Sequence, residues 1–123
     1  MAKKAKIKWL GKPESHDYPA AQSYLSLFYD EKTTAIQISK LKRVSMSAFK
    51  SKDIFRASGL SLLGVSNGHV EKDIRKIKDK KPLSPLLLVR DPVNGKVIIA
   101  DGYHRLCAVY ACDEDALIPC QIA

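Results

Sequence analysis

A chain of 123 residues is long enough for one domain with its own core and too short for two ordinary ones. Its 46% hydrophobic and 28% charged residues have the profile of a soluble globular protein, and no apolar run approaches the roughly 20 residues a membrane helix needs. Twenty-one Lys and Arg against thirteen Asp and Glu leave a formal charge of +8, which either draws anionic partners or simply keeps the surface solvated.

The first residues, with Lys3, Lys4, Lys6 and Lys8, are charged like the start of a signal peptide, but Gly11-Lys12-Pro13-Glu14 follows where an apolar stretch would stand. A cytoplasmic protein with a short basic tail is expected. Cys107, Cys112 and Cys120 are odd in number, lie in apolar surroundings and lack a C-x-x-C spacing, so they predict buried free thiols.

Gly11 to His16 is polar and predicts a loop. A helix follows from Asp17, with Asp17 as its cap, Pro19 in an early position, and Tyr18, Ala21, Leu25 and Phe28 on one inward face; it is expected to end near Tyr29. Asp30 and Glu31 open a second helix with Ala35, Ile38 and Leu41 on one side, although Thr33-Thr34 and Ile36-x-Ile38 also fit a strand. Val44 to Lys50 alternates weakly, as a short strand would. Asp53 then caps a short helix, Ile54 to Ala57, that Gly59 stops. From Leu60 to Gly68 the chain reads as an irregular connection with buried leucines, long enough to belong to a binding site.

The clearest periodicity, Val70, Ile74 and Ile77, predicts a helix from about Gly68 to Lys80. His69, Lys72 and Lys76 form a row on one flank of it, which suits a neighbouring phosphate or equally a solvated basic face. Pro82 ends that helix. Leu86-Leu87-Leu88-Val89 shows no alternation and predicts a strand covered on both faces. The turn Asp91 to Gly95, with Gly95 suited to a left-handed position, joins it to a hairpin partner, Val97 to Ala100. Leu106, Val109 and Tyr110 mark the inward side of a final helix, and Leu117 to Ile122 is a closing strand whose Pro119 predicts a free edge.

The sum is an α/β (α+β) fold: a small mixed sheet, built mostly from the C-terminal half and covered by helices. Residues 1–16 form a basic tail and loop, 17–45 a helical extension and 46–123 the core of one domain.

The polar run Asp101-Gly102-Tyr103-His104-Arg105 falls where the second hairpin strand gives way to a helix. Gly102 permits the turn, the first-turn N–H groups point outward, Arg105 offers a planar fork of donors and His104 a titratable one. That combination suits phosphate; the bland alternative is that Arg105 merely pairs with Asp101.

The order of these elements, with the Gly-Tyr-His-Arg turn between the hairpin and Leu106-x-Ala108 and the closing Ile118-Pro119-Cys120-Gln121-Ile122, resembles the ParB/sulfiredoxin superfamily over about Gly68 to Ile122. Members carry a Pro-Ile-x-Val strand, a Gly-Glu-Arg-Arg or Gly-Cys-His-Arg turn at a helix start, and a closing Ile-Pro-Val strand. The resemblance implies nucleotide binding, with a nucleoside triphosphate, often with Mg²⁺, held at the Gly-x-x-Arg turn. Carried over by position, the binding residues are Gly102, Tyr103, His104 and Arg105, joined by His69, Lys72 and Lys76 from the preceding helix. Asp101 is the expected metal ligand or base, with Asp53 and Glu71 behind it, and His104 joins Asp101 as a catalytic candidate. Tyr103 stands where sulfiredoxin has its catalytic Cys and partition proteins have Glu, so neither chemistry transfers intact.

The reading that results is a nucleotide-binding protein, with phosphotransferase or NTPase chemistry open to it. The alternative is a DNA-binding protein or metal-dependent nuclease of the ParB-like type, drawing non-specific affinity from the +8 charge. A third reading is a protein-binding module using Tyr18, Tyr24, Phe28 and Tyr29.

Overall fold

The computed structural model of the chain describes residues 6–64 and 66–123. These form five helices and a four-stranded sheet in the order α1 (Asp17–Leu25), α2 (Glu31–Arg43), β1 (Ser47–Lys50), α3 (Ser51–Ser58), α4 (Gly68–Lys78), β2 (Leu86–Asp91), β3 (Lys96–Asp101), α5 (Tyr103–Cys112) and β4 (Leu117–Ile122). Lys3 and Lys4 of the basic tail lie outside the described residues.

Local chemistry accounts for most of the boundaries. The Asp30 carboxylate accepts the Thr33 N–H at 2.7 Å and starts α2, and the Asn67 side chain accepts from the His69 and Val70 amides to start α4. Gly59 ends α3 at φ 67°, and Gly95 takes the left-handed turn position at φ 63°. Both conformations favour glycine because a Cβ would crowd the backbone.

The sheet order is β1-β4-β2-β3. The β2–β3 hairpin and the β1–β4 pair are antiparallel, whereas β2 and β4 run parallel from the Leu86–Cys120 pair onward. Helix α5 supplies the crossover, carrying the chain from β3 at one edge to β4 beyond β2. The four consecutive buried residues of β2 divide between two cores. Leu86 and Leu88 join Ile54, Val70, Ile77, Leu106 and Ile118, while Leu87 and Val89 join Ala21, Leu25, Ile38 and Leu41. Helices α1 and α2 therefore cover one face and α3, α4 and α5 the other, which is why that strand shows no alternation. Each such leucine contributes roughly 1.5–3 kcal/mol through removal from water.

The segment before α1 is tied to the sheet: Trp9 bridges Leu83, with Leu10 N–H donating to Leu83 O at 2.8 Å and Leu83 N–H to Lys8 O at 2.9 Å.

Several local expectations are corrected. Asp17 does not cap α1; it lies inside the first turn, buried, and accepts from Ser84 Oγ and from the Glu14 amide. Helix α1 stops at Leu25, so Phe28 leaves the inward stripe and is exposed, stacked edge-on against Tyr24. In α2 the buried stripe is Thr34, Ile38 and Leu41, with Ala35 outside. Leu60 and Leu62 are exposed rather than buried. Helix α5 is buried over a wider arc, Leu106 to Val109, and Tyr110 is only half-buried against Phe55. Pro119 marks no free edge: β4 lies inside the sheet, and its pairing with β2 begins one residue later, at Cys120. Cys107 and Cys120 are buried free thiols, and Cys112 is a partly exposed one.

Candidate functional site

Strand β3 delivers Asp101 to the end of the sheet, Gly102 turns the chain at φ 107°, and α5 begins at Tyr103. A Cβ on Gly102 would lie 2.8 Å from Leu86 Cγ and 2.9 Å from Arg105 Nη2. The glycine is thus required by the close packing of the turn on β2 beneath it as well as by its left-handed backbone. The Tyr103, His104 and Arg105 amides find no acceptor among the described residues; Leu106 N–H is the first to bond, to Gly102 O at 2.9 Å. Three donors at the positive end of a helix are left facing outward.

Helix α4 lies beside this turn. His69, Lys72, Asp73 and Lys76 from α4 and Asp101, Gly102, Tyr103, His104 and Arg105 line one hollow of about 200 Å³. The sequence-named residues His69, Lys72, Lys76, Asp101, Gly102, Tyr103, His104 and Arg105 are all brought together there. Asp53 and Glu71 are not: each pairs with an arginine on its own helix, Arg56 at 2.8 Å and Arg75 at 2.7 Å. Larger hollows of about 640 and 350 Å³ open beside α3 and beside the Tyr24–Phe28 pair, and neither is lined by these residues.

The charges within the hollow are partly spent. Arg105 Nη2 donates to Asp101 Oδ2 at 2.8 Å and to Pro85 O at 3.3 Å, while Arg105 Nε is buried without a partner among the described residues. Burial pushes the Asp101 carboxyl above its ordinary range and Arg105 pulls it back. Asp101 therefore acts on the hollow first as the partner of Arg105. Lys72 and Lys76 form no ion pair among the described residues, and Asp73, buried on α4, is the one carboxylate of the hollow with no hydrogen bond or ion pair among them.

The His69 and His104 rings lie against each other at a tilt of 39°, with centroids 4.8 Å apart. Burial lowers the His104 pKa, and His69 and Arg105 lower it further against the opposing pull of Asp73. Both effects favour a neutral imidazole. The Tyr103 hydroxyl donates to Ser61 O, which ties the connection after α3 to α5, and burial raises the Tyr103 pKa.

Two features escaped the sequence. Asp73 belongs to the same α4 flank, four residues after His69, and the period of the row would have found it. A second polar cluster, Glu14, His16 and Asp17, stands at the start of α1, near enough that the charges of Asp17 and His16 act on Asp101. Its signal was the closely spaced Glu-x-His-Asp run in a segment read as plain loop. No protein-family model, no curated protein and no solved structure matches the chain.

Proposed function

We propose that the chain is a nucleotide-binding protein of ParB/sulfiredoxin type that holds the phosphates of a nucleoside triphosphate over the β3–α5 turn. The observation that carries this reading is the convergence of α4 and α5 on one hollow. Lys72, Lys76 and Arg105 face it with positive charge, Asp73 and Asp101 with negative, and three unbonded helix amides adjoin it. Since the one arginine is already paired, the two lysines and the amides supply the attraction for an anion. The order α4, β2, β3, α5, β4 is also the order on which the resemblance rests.

Mg²⁺ accompanying the triphosphate would be held by phosphate oxygens and by Asp73, the carboxylate that remains free, with Asp101 occupied in orienting Arg105. Tyr103 cannot form the thiol-linked intermediate that sulfiredoxin makes at this position, so the proposal does not extend to sulfinic acid repair. A neutral His104 beside the phosphates is suited to take a proton from an acceptor hydroxyl, which makes phosphoryl transfer the reaction class proposed.

The test is a thermal-shift titration of ATP, CTP, GTP and ADP with Mg²⁺ against the native protein, Arg105→Ala and the double variant Lys72→Ala/Lys76→Ala. At least one nucleotide should stabilise the native protein by about 1–3 kcal/mol near saturation. Lys72→Ala/Lys76→Ala should lose the shift by removing the attraction itself, and Arg105→Ala should lose it by leaving the Asp101 carboxylate unneutralised beside the phosphates. A native protein that no nucleotide stabilises overturns the reading.

A further inference from the structure

We infer that Glu14, His16 and Asp17 form a cation site for a first-row transition ion of the Zn²⁺ class, apart from the phosphate hollow. His16 Nε2 stands 2.9 Å from Glu14 Oε2 and 3.4 Å from Asp17 Oδ1, and the three donor atoms all lie within 4.8 Å of one another. Metal–ligand bonds of about 2.0–2.2 Å at tetrahedral angles set neighbouring donors about 3.3 Å apart. The two separations from His16 Nε2 bracket that value and the carboxylate oxygens lie within 4.8 Å of each other, so an ion in place of the proton needs only the exposed Glu14 side chain to swing toward the held Asp17.

The Asp17 carboxylate is built as a held ligand. Its side chain is only 4% exposed. Its Oδ2 takes both available donors, Ser84 Oγ and the Glu14 amide, which fixes the plane of the group. Oδ1 accepts no hydrogen bond among the described residues and is left facing His16. A carboxylate oriented through one oxygen, with the other offered to an imidazole, is the arrangement by which hydrogen-bonded neighbours position metal ligands.

The donor set selects the ion. One imidazole with two carboxylates suits Zn²⁺ and its first-row neighbours, whereas Mg²⁺ and Ca²⁺ prefer oxygen ligands alone. Glu14 and His16 are on the solvent side, with side-chain exposures of 45% and 75%. The positions that the three protein ligands do not fill are thus open to water or to an anionic ligand oxygen.

Co²⁺ titrated into the metal-free native chain, without nucleotide, tests the site. One Co²⁺ per chain should bind with visible d–d absorption and no intense near-ultraviolet thiolate band, and Zn²⁺ should displace it. His16→Ala, which removes an exposed side chain, and Glu14→Gln should each weaken binding at least tenfold while circular dichroism stays native. Lys72→Ala/Lys76→Ala should bind Co²⁺ as the native chain does, so failure here and failure of the nucleotide reading are separate results. No stoichiometric binding, a thiolate band from the cysteines, or unchanged binding by His16→Ala overturns the inference.

Discussion

The two polar clusters of this protein make opposite electrostatic choices around one ion pair. The α4–α5 hollow carries two lysines and one aspartate, Asp73, that form no ion pair among the described residues, an arginine neutralised by Asp101 and a row of free amides; the turn before α1 carries two carboxylates and one imidazole. The first suits an anion and the second a cation. Asp101 and Arg105 stand between them, each less than one-fifth exposed. The contrast teaches that the conspicuous charges of the site residues say little until their partners are known: Arg105, the residue most suggestive of phosphate in the sequence, is the one already engaged.

The largest effect should come from the turn on which the basic cluster is built. Gly102→Ala places a methyl against Leu86 and Arg105 and forces a side chain into a left-handed backbone, so a loss of about 2–4 kcal/mol is expected by urea unfolding. Next is Asp101→Asn, whose stability cost should stay under about 1 kcal/mol, because burial already disfavours the charge that is removed and the amide oxygen can still accept from Arg105. The same substitution frees the Arg105 charge, so affinity for inorganic phosphate without metal should rise. A fall would mean that Asp101 serves the ligand directly, and the contrast between a spent arginine and free lysines would break.

Much of the scaffold was legible because its determinants are local. The unbroken Leu86–Val89 run, Gly95 and the Val70–Ile77 stripe each favour one backbone solution, and the strand-to-helix change at Gly102 follows from the residues on either side; α4 itself ends at Lys78, ahead of the expected stop at Pro82. What was not legible depends on distant partners. Asp17 looks like a helix cap until Ser84, far along the chain, claims its carboxylate. Phe28 continues the α1 period only if the helix runs past Leu25. Pro119 reads as an edge residue because sequence does not reveal that the short β1 pairs outside β4. The eight sequence-named residues that line the hollow were named as a group through the resemblance, which joins the α4 row to the β3–α5 turn, but the Asp101–Arg105 pairing within it was an open alternative that only three-dimensional proximity decides.

Smaller effects sharpen the same comparison. Lys72→Ala and Lys76→Ala should each weaken phosphate or nucleotide binding several-fold and reduce its salt dependence, with stability unchanged to within about 0.5 kcal/mol because Lys72 is exposed and Lys76 only partly buried. The His104 pKa is depressed below its ordinary value of about 6.5. The unfolded chain therefore binds the proton more readily, and stability present above about pH 6.5 is lost as pH falls toward the folded value. Asp101, with a raised pKa, acts in the opposite sense at lower pH, where its protonation in the folded state relieves the cost of a buried charge. Unfolding midpoints of native protein and His104→Asn between pH 7 and 5 should converge if His104 is the group responsible. Smallest of all, Phe28→Ser should change stability by less than about 0.5 kcal/mol, as suits an exposed ring beyond the end of α1.

The most direct measurement is a ¹H–¹⁵N titration of the native protein with ATP, first alone and then with Mg²⁺. The account predicts saturable shifts centred on the Tyr103, His104 and Arg105 amides and on the α4 residues His69 to Lys76, absent in Lys72→Ala/Lys76→Ala. Shifts confined to the N-terminal lysines, or none at the β3–α5 turn, would contradict it.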